Sequence, residues 1–164
     1  MYVYAANSYT GDTVVAGGTF YMQNASAVPP MSNIRLAGGH FATMDYNPVR
    51  ARFGGYGTFA SWDYAYLTIT NELRFSAADL AAGRKITCAG GKFSIGADCV
   101  LTVDGLDALP GGKYTLMDTT GTGIILGNAP RLVDAEAEKW KVTVSGDGKK
   151  MTLRRIRGIM ISIH

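Results

Sequence analysis

Gly17-Gly18-Thr19-Phe20-Tyr21-Met22-Gln23-Asn24 carries the unit from which the fold is read: a glycine pair, an extended run led by an aromatic ring, and an Asx residue shortly after that ring. The unit recurs. Gly38-Gly39-His40-Phe41, Gly90-Gly91-Lys92-Phe93 and Gly111-Gly112-Lys113-Tyr114 repeat its opening. The whole series pairs Phe20 with Asn24, Phe41 with Asp45, Phe59 with Asp63, Phe75 with Asp79, Phe93 with Asp98 and Tyr114 with Asp118. The steps between successive rings are 21, 18, 16, 18 and 21 residues. A period of about nineteen residues is the length of one coil of a β-solenoid.

Composition agrees with short strands broken by tight turns. The chain has 164 residues, enough for one domain with a continuous core, and its 21 glycines suit turns that need positive φ. Thr13-Val14-Val15 and Thr19 to Met22 flank the first glycine pair. Ser32 to Leu36, Leu67 to Thr70, Lys85 to Cys88, Lys92 to Ile95, Cys99 to Val103 and Lys113 to Met117 are the next extended runs. The residue two places after each ring is apolar or small in most repeats, so ring and i+2 residue share an inward face. Coils stacked about 4.8 Å apart would bring Phe20, Phe41, Phe59, Phe75, Phe93 and Tyr114 into an internal ladder. An antiparallel sandwich with coincidentally spaced phenylalanines is the competing fold. Ser76 to Gly83 reads either as a short helix, capped by Ser76 and closed by Gly83, or as a plain loop.

The last segment changes character. Trp140, Val142 and Val144 alternate with polar residues, Ser145-Gly146-Asp147-Gly148 makes a turn, and Met151 with Leu153 resumes the apolar face, which predicts a hairpin. The expected organisation is therefore solenoid coils over residues 1–130 and a C-terminal antiparallel hairpin cap over 131–164. A further strand is expected through Ile159, Ile161 and Ile163. Such a cap shields a terminal coil whose backbone would otherwise recruit other chains.

Charge and motifs narrow the function classes. The net charge of +3 is modest, and Lys149-Lys150 and Arg154-Arg155-Ile156-Arg157 lack aromatic interleaving, so they read as a solvated strand face and not as a nucleic-acid site. No segment reaches the roughly eighteen consecutive apolar residues of a membrane span, and the first residues, Met1 to Asn7, do not form a secretory signal. The repeat starts almost at once, which suggests a piece of a longer chain or a processed subunit. His40 occupies the slot held elsewhere by Thr19, Lys92 and Lys113, so it reads as an exposed strand start. No nucleophile elbow, phosphate-cradling loop or His-Cys zinc spacing is present. The Asx series reads as turn-backbone partners; stacked carboxylates would instead favour Ca²⁺, but the Gly-Gly-x-Gly-x-Asp nonapeptide of calcium-binding rolls is absent. No cofactor or metal is expected.

Asn7-Ser8-Tyr9-Thr10-Gly11-Asp12-Thr13-Val14-Val15-Ala16-Gly17-Gly18-Thr19-Phe20 resembles the autotransporter-associated β-strand repeat, whose usual form is Asn-x-Tyr-Thr-Gly-Gly-Thr-Thr-Val-x-x-Gly-Thr-Leu. Asp12 for the second glycine and Phe20 for leucine are mild departures. The run from Gly111 through Gly127-Asn128-Ala129-Pro130 to Trp140 and Ser145-Gly146-Asp147-Gly148 is similar to the closing region of large secreted bacterial proteins with that repeat. Residues 44 to 88 share only the spacing. No membrane barrel follows, so self-transport does not carry over. The resemblance implies a right-handed parallel β-helix of the passenger type, secreted or on a bacterial cell surface, with a structural, adhesive or self-assembly role. It is expected to associate through its ends, as a homo-oligomer or with other surface subunits, and to meet glycans.

Two alternatives remain open. A polysaccharide-binding or polysaccharide-degrading β-helix protein is the rival reading, since polysaccharide lyases and hydrolases also use β-helices, and Asp45 and Asp63 near Arg50 and Arg52 are the best constellation for a degrading site. Cys88 and Cys99, an even count in a chain of extracellular character, form either a disulfide or two buried thiols; the bridge is the reading favoured.

Overall fold

The computed structural model describes residues 1–3, 7–44, 49–61 and 65–156. Asp45, Asp63 and the Ile159 to Ile163 strand lie outside the described residues. The strands are β1 (Tyr2–Val3), β2 (Thr13–Val15), β3 (Thr19–Met22), β4 (Asn33–Thr43), β5 (Val49–Ser61) and β6 (Tyr66–Ser76). A short helix α1 (Ala77–Ala81) precedes β7 (Ile86–Cys88), β8 (Lys92–Ile95), β9 (Val100–Asp104), β10 (Lys113–Thr119), β11 (Ile124–Leu126), β12 (Arg131–Leu132), β13 (Trp140–Val144) and β14 (Lys150–Arg155). The architecture is all-β, a 14-stranded mixed sheet that is parallel except where β14 meets β10 and β13.

Three parallel ladders run through it. The first joins β1, β3, the second half of β4, the second half of β5, β7 and β10. The second joins β2, the first half of β4, the middle of β5, the second half of β6, β9 and β12. The third joins the start of β5, the start of β6, β8 and β11. Parallel partners cannot be joined by a tight hairpin, so the chain travels a long way between them.

That distance is not uniform, which corrects the expected period. Tyr2 lies opposite Tyr21, 19 residues on, and His40 opposite Thr58, 18 on. Gly57 then faces Ile86, 29 on, and Ile86 faces Met117, 31 on. The first lengthening comes from α1 and its flanks. The second comes from the turn around Leu106–Ala108 and the glycine pair before β10.

The segment from Ser76 to Gly83 is helical over Ala77–Ala81. Its closure follows from Gly83 at φ 73°: Gly83 N donates to Leu80 O (3.0 Å) and Arg84 N to Asp79 O (2.9 Å), a Schellman pattern. Ser76 stands at the cap position but its hydroxyl makes no capping bond.

Alternation places the core between the ladders. Phe20 and Met22, Ile86 and Cys88, Phe93 and Ile95, and Leu101 and Val103 face inward from β3, β7, β8 and β9, and with Leu36, Phe41, Phe53 and Phe59 they form one apolar cluster. Near the C-terminal end β13 and β14 form the predicted hairpin. Ser145 Oγ donates to Asp147 Oδ1 (2.6 Å), and with the Lys149 amide it holds that carboxyl below the usual carboxylate range. Trp140, almost fully buried, packs against Tyr114. The turn also reaches over β11, where Gly148 O accepts from Ile125 N (2.8 Å) and Lys149 Nζ donates to Gly123 O (2.7 Å).

Candidate functional site

The aromatic series divides. Phe20, Phe41 and Phe59 are register partners on the first ladder, with near-parallel rings 5.8 and 6.4 Å apart. The next rung after Phe59 is Cys88, not Phe75. Phe75 is buried on the second ladder opposite Val103, and Phe93 sits on the third, opposite Leu67 and Ile125. Phe93 reaches Phe59 across the core, edge to face at 5.6 Å, and Phe53 joins the same cluster. Tyr114 lies opposite Leu153 and donates its hydroxyl to Pro110 O (2.7 Å). A single continuous six-ring ladder is thus not formed.

The expected disulfide is not formed either: Cys88 and Cys99 are free, buried thiols. Cys88 belongs to β7, whose neighbours are β5 and β10, whereas Cys99 leads into β9, whose neighbours are β6 and β12. Burial pushes both thiols up to about 11.

The described Asx residues do not stack as a row. Asn24 accepts from Ser26 N (2.8 Å) at the cap of a single 3-10 turn. Asp79 pairs with Arg84 (3.0 Å), Asp98 is exposed in the turn before β9, and Asp118 accepts from Lys85 and from Thr87 Oγ1 (3.0 Å). Among the described residues no cluster suited to a metal occurs. Of the residues considered for a polysaccharide-degrading site, Arg50 turns inward and is only 1% exposed, with its guanidinium against Met22 Sδ (2.9 Å) and Val49 O (2.7 Å). Arg52 pairs with Glu72 (3.4 Å) on the outside.

A polar cleft of about 270 Å³ opens on the outer side of the second ladder, lined chiefly by Asp12, Asn33, Arg35, Arg74, Asp79 and Asp104. Its floor is glycine. Gly54 stands in register between Arg35 and Arg74, where any side chain would meet the Arg74 backbone. Arg74 holds Asp104 through both oxygens, at 2.9 and 2.8 Å; this bond, then the charges of Asp104, Glu72 and Asp12, raises its pKa. Arg84, bound to Asp79, also lies 4.8 Å over the Tyr56 ring. Asp104 and Asp79 are acceptors engaged by the guanidinium groups of Arg74 and Arg84. The arrangement suits recognition of polar groups. Sequence reasoning missed it because Arg74 and Asp104 are 30 residues apart and meet only once the ladder register is known.

The two ends of the ladders differ. At one, β1 pairs with β3 alone and β2 with β4 alone among the described residues; Tyr2 stacks on Tyr21 at 4.4 Å, and Val14 is 53% exposed. At the other, the hairpin covers β10. His40 is exposed between Thr19 and Thr58, as its slot in the repeat predicts. No helix among the described residues is long and apolar enough to cross a membrane. Neither protein-family models, nor curated proteins, nor solved structures yield a match to this chain.

Proposed function

We propose that the chain is a non-catalytic β-solenoid module, secreted or displayed on a bacterial surface, that serves structurally or adhesively and associates through its ends. The carrying observation is the order of visits. From β6 onward the chain passes third ladder, second ladder, first ladder, then β8, β9 and β10 repeat that order, and β11 and β12 begin it again. This cyclic order is what successive coils wound in one sense require, and the likeness of residues 7–20 to the autotransporter-associated repeat supports a right-handed winding. Among the described residues β2 pairs with β4 alone, and its other edge accepts a further parallel strand from a second copy or another surface subunit.

Sedimentation velocity over a concentration series, with electron microscopy of the same samples, tests this. Association that grows with concentration and weakens in Val14→Lys supports it, because a lysine on an edge strand opposes further pairing. A monomer at all concentrations overturns the association. Release of reducing ends from a polysaccharide would replace the non-catalytic reading with the polysaccharide-degrading one.

A further inference from the structure

Lys113, Arg154 and Lys141 form one cross-strand row. Lys113 on β10 is the register partner of Arg154 on β14, and Arg154 is in turn the partner of Lys141 on β13. All three are exposed, and none takes part in the ion pairs formed among the described residues. Like charges placed directly opposite on one face of a sheet are destabilising. Two residues along, the same face carries a second row, Thr115, Thr152 and Thr143, in which the Thr143 and Thr152 hydroxyls are 2.8 Å apart. Arg155 lines, with Lys113 and Arg154, an open hollow at the end of the sheet. The nearby carboxylates do not neutralise the row: Asp118 is engaged by Lys85 and Thr87, Glu136 by Lys139, and Glu138 stands at the rim.

We infer that this cation row, with the exposed Thr143 beside it, is a docking surface for an anionic polysaccharide, one bearing sulfate or carboxylate groups at regular intervals. Three strands about 4.8 Å apart spread the charges over roughly 10 Å, wider than one small anion and suited to successive charged groups of a polymer. Thr143, the exposed member of the threonine row, supplies a hydrogen-bond partner for a sugar hydroxyl, while Thr152 is buried behind it. A single-stranded nucleic acid would need exposed rings for its bases to stack on. The aromatics of these strands face the other way: Trp140 is buried, and Tyr114 packs against the core. A membrane would need several apolar side chains flanking the charges, and among the described residues Ile156 is the exposed large apolar one lining this region.

The test is calorimetric titration of the folded chain with heparin as the sulfated probe, beside dextran, single-stranded DNA and phosphatidylserine vesicles. Heparin binding that weakens with salt, is absent for dextran, and falls at least about tenfold in the Lys113→Gln, Arg154→Gln, Lys141→Gln triple variant supports the surface. Arg35→Gln, in the cleft on the second ladder, should bind as the parent does. The triple variant should melt at or above the parent temperature, since like-charge repulsion is relieved, so lost binding is not lost folding. Should the triple variant unfold, Lys141→Gln on the outermost strand alone should reduce heparin affinity severalfold. Unchanged heparin affinity in the folded variants, or tighter binding of DNA or vesicles than of heparin, overturns the inference.

Discussion

Phe41 and Phe59 stand as direct register partners on adjacent parallel strands, their rings 6.4 Å apart and 22° from parallel. Both are fully buried, and Phe41 also stacks on Phe20. Replacing Phe41 by alanine removes the middle ring of that stack and its edge contact with Phe53. The expected cost is about 3–5 kcal/mol, read as a lowered midpoint in urea unfolding with little change in slope. A loss below about 1 kcal/mol would contradict the burial.

Gly54 makes a tight backbone approach on the cleft floor. A Cβ there would lie 2.0 Å from the carbonyl oxygen of Arg74, so β5 and β6 must separate to admit it. Gly54→Ala is expected to cost about 1–3 kcal/mol, the range for overpacking. Gly146→Ala, where nothing lies within 4 Å, should stay within about 0.5 kcal/mol of the parent. Thermal melts of the two variants side by side measure the difference.

Local strand signals were legible in the sequence, and the choice of partners was not. The runs Thr13–Val15, Thr19–Met22 and Lys92–Ile95 are strands with those bounds, and the hairpin turns at Ser145 to Gly148. β5, at 13 residues the longest strand among the described residues, carries no clean alternation because Gly54, Gly55 and Gly57 interrupt it. The spacing of Phe20, Phe41 and Phe59 matches the true register, while the similar spacing of Phe75 and Phe93 does not. Beyond β6 the parallel offsets lengthen to between 26 and 32 residues, so a step of 16 or 18 moves a ring to a different ladder. The cleft was illegible for the same reason, since its residues converge through register and not through any local motif.

The two thiols give the chain an alkaline limit. Their ordinary value is 9.0, and burial raises both to about 11 in the folded state. Between these values the unfolded chain has lost the two protons and the native chain retains them, so stability falls as pH rises from about 9 to about 11 and is unaffected by these groups below that window. A tenfold difference in proton affinity between the two states is worth about 1.4 kcal/mol, which puts the loss on the order of 2 kcal/mol for Cys88 and less for Cys99, the less deeply enclosed of the two, at the alkaline end. Urea midpoints of the parent and a Cys88→Ala, Cys99→Ala variant across pH 8 to 11 check this; equal slopes for the two proteins would contradict it. Both thiols should also react slowly with a disulfide reagent until the chain is unfolded.

Trp140 links the stability of the covering hairpin to the association of the molecule. Its ring is 6% exposed and packs on Tyr114, so it anchors β13 over the end of the apolar cluster, while β14 occupies the edge of β10 through antiparallel pairing. Trp140→Ala is expected to cost about 3–5 kcal/mol, concentrated in the hairpin. Hydrogen exchange should therefore accelerate in Lys113–Thr119 and Lys150–Arg155 more than in β8 or β9. Opening the hairpin also frees the β10 edge, and an unpaired strand edge recruits other chains. The variant should accordingly sediment as larger species than the parent at equal concentration. Adding Val14→Lys should not reverse this, because that substitution acts at the opposite end. Uniformly faster exchange with no change in sedimentation would mean that the hairpin opens only with the whole fold.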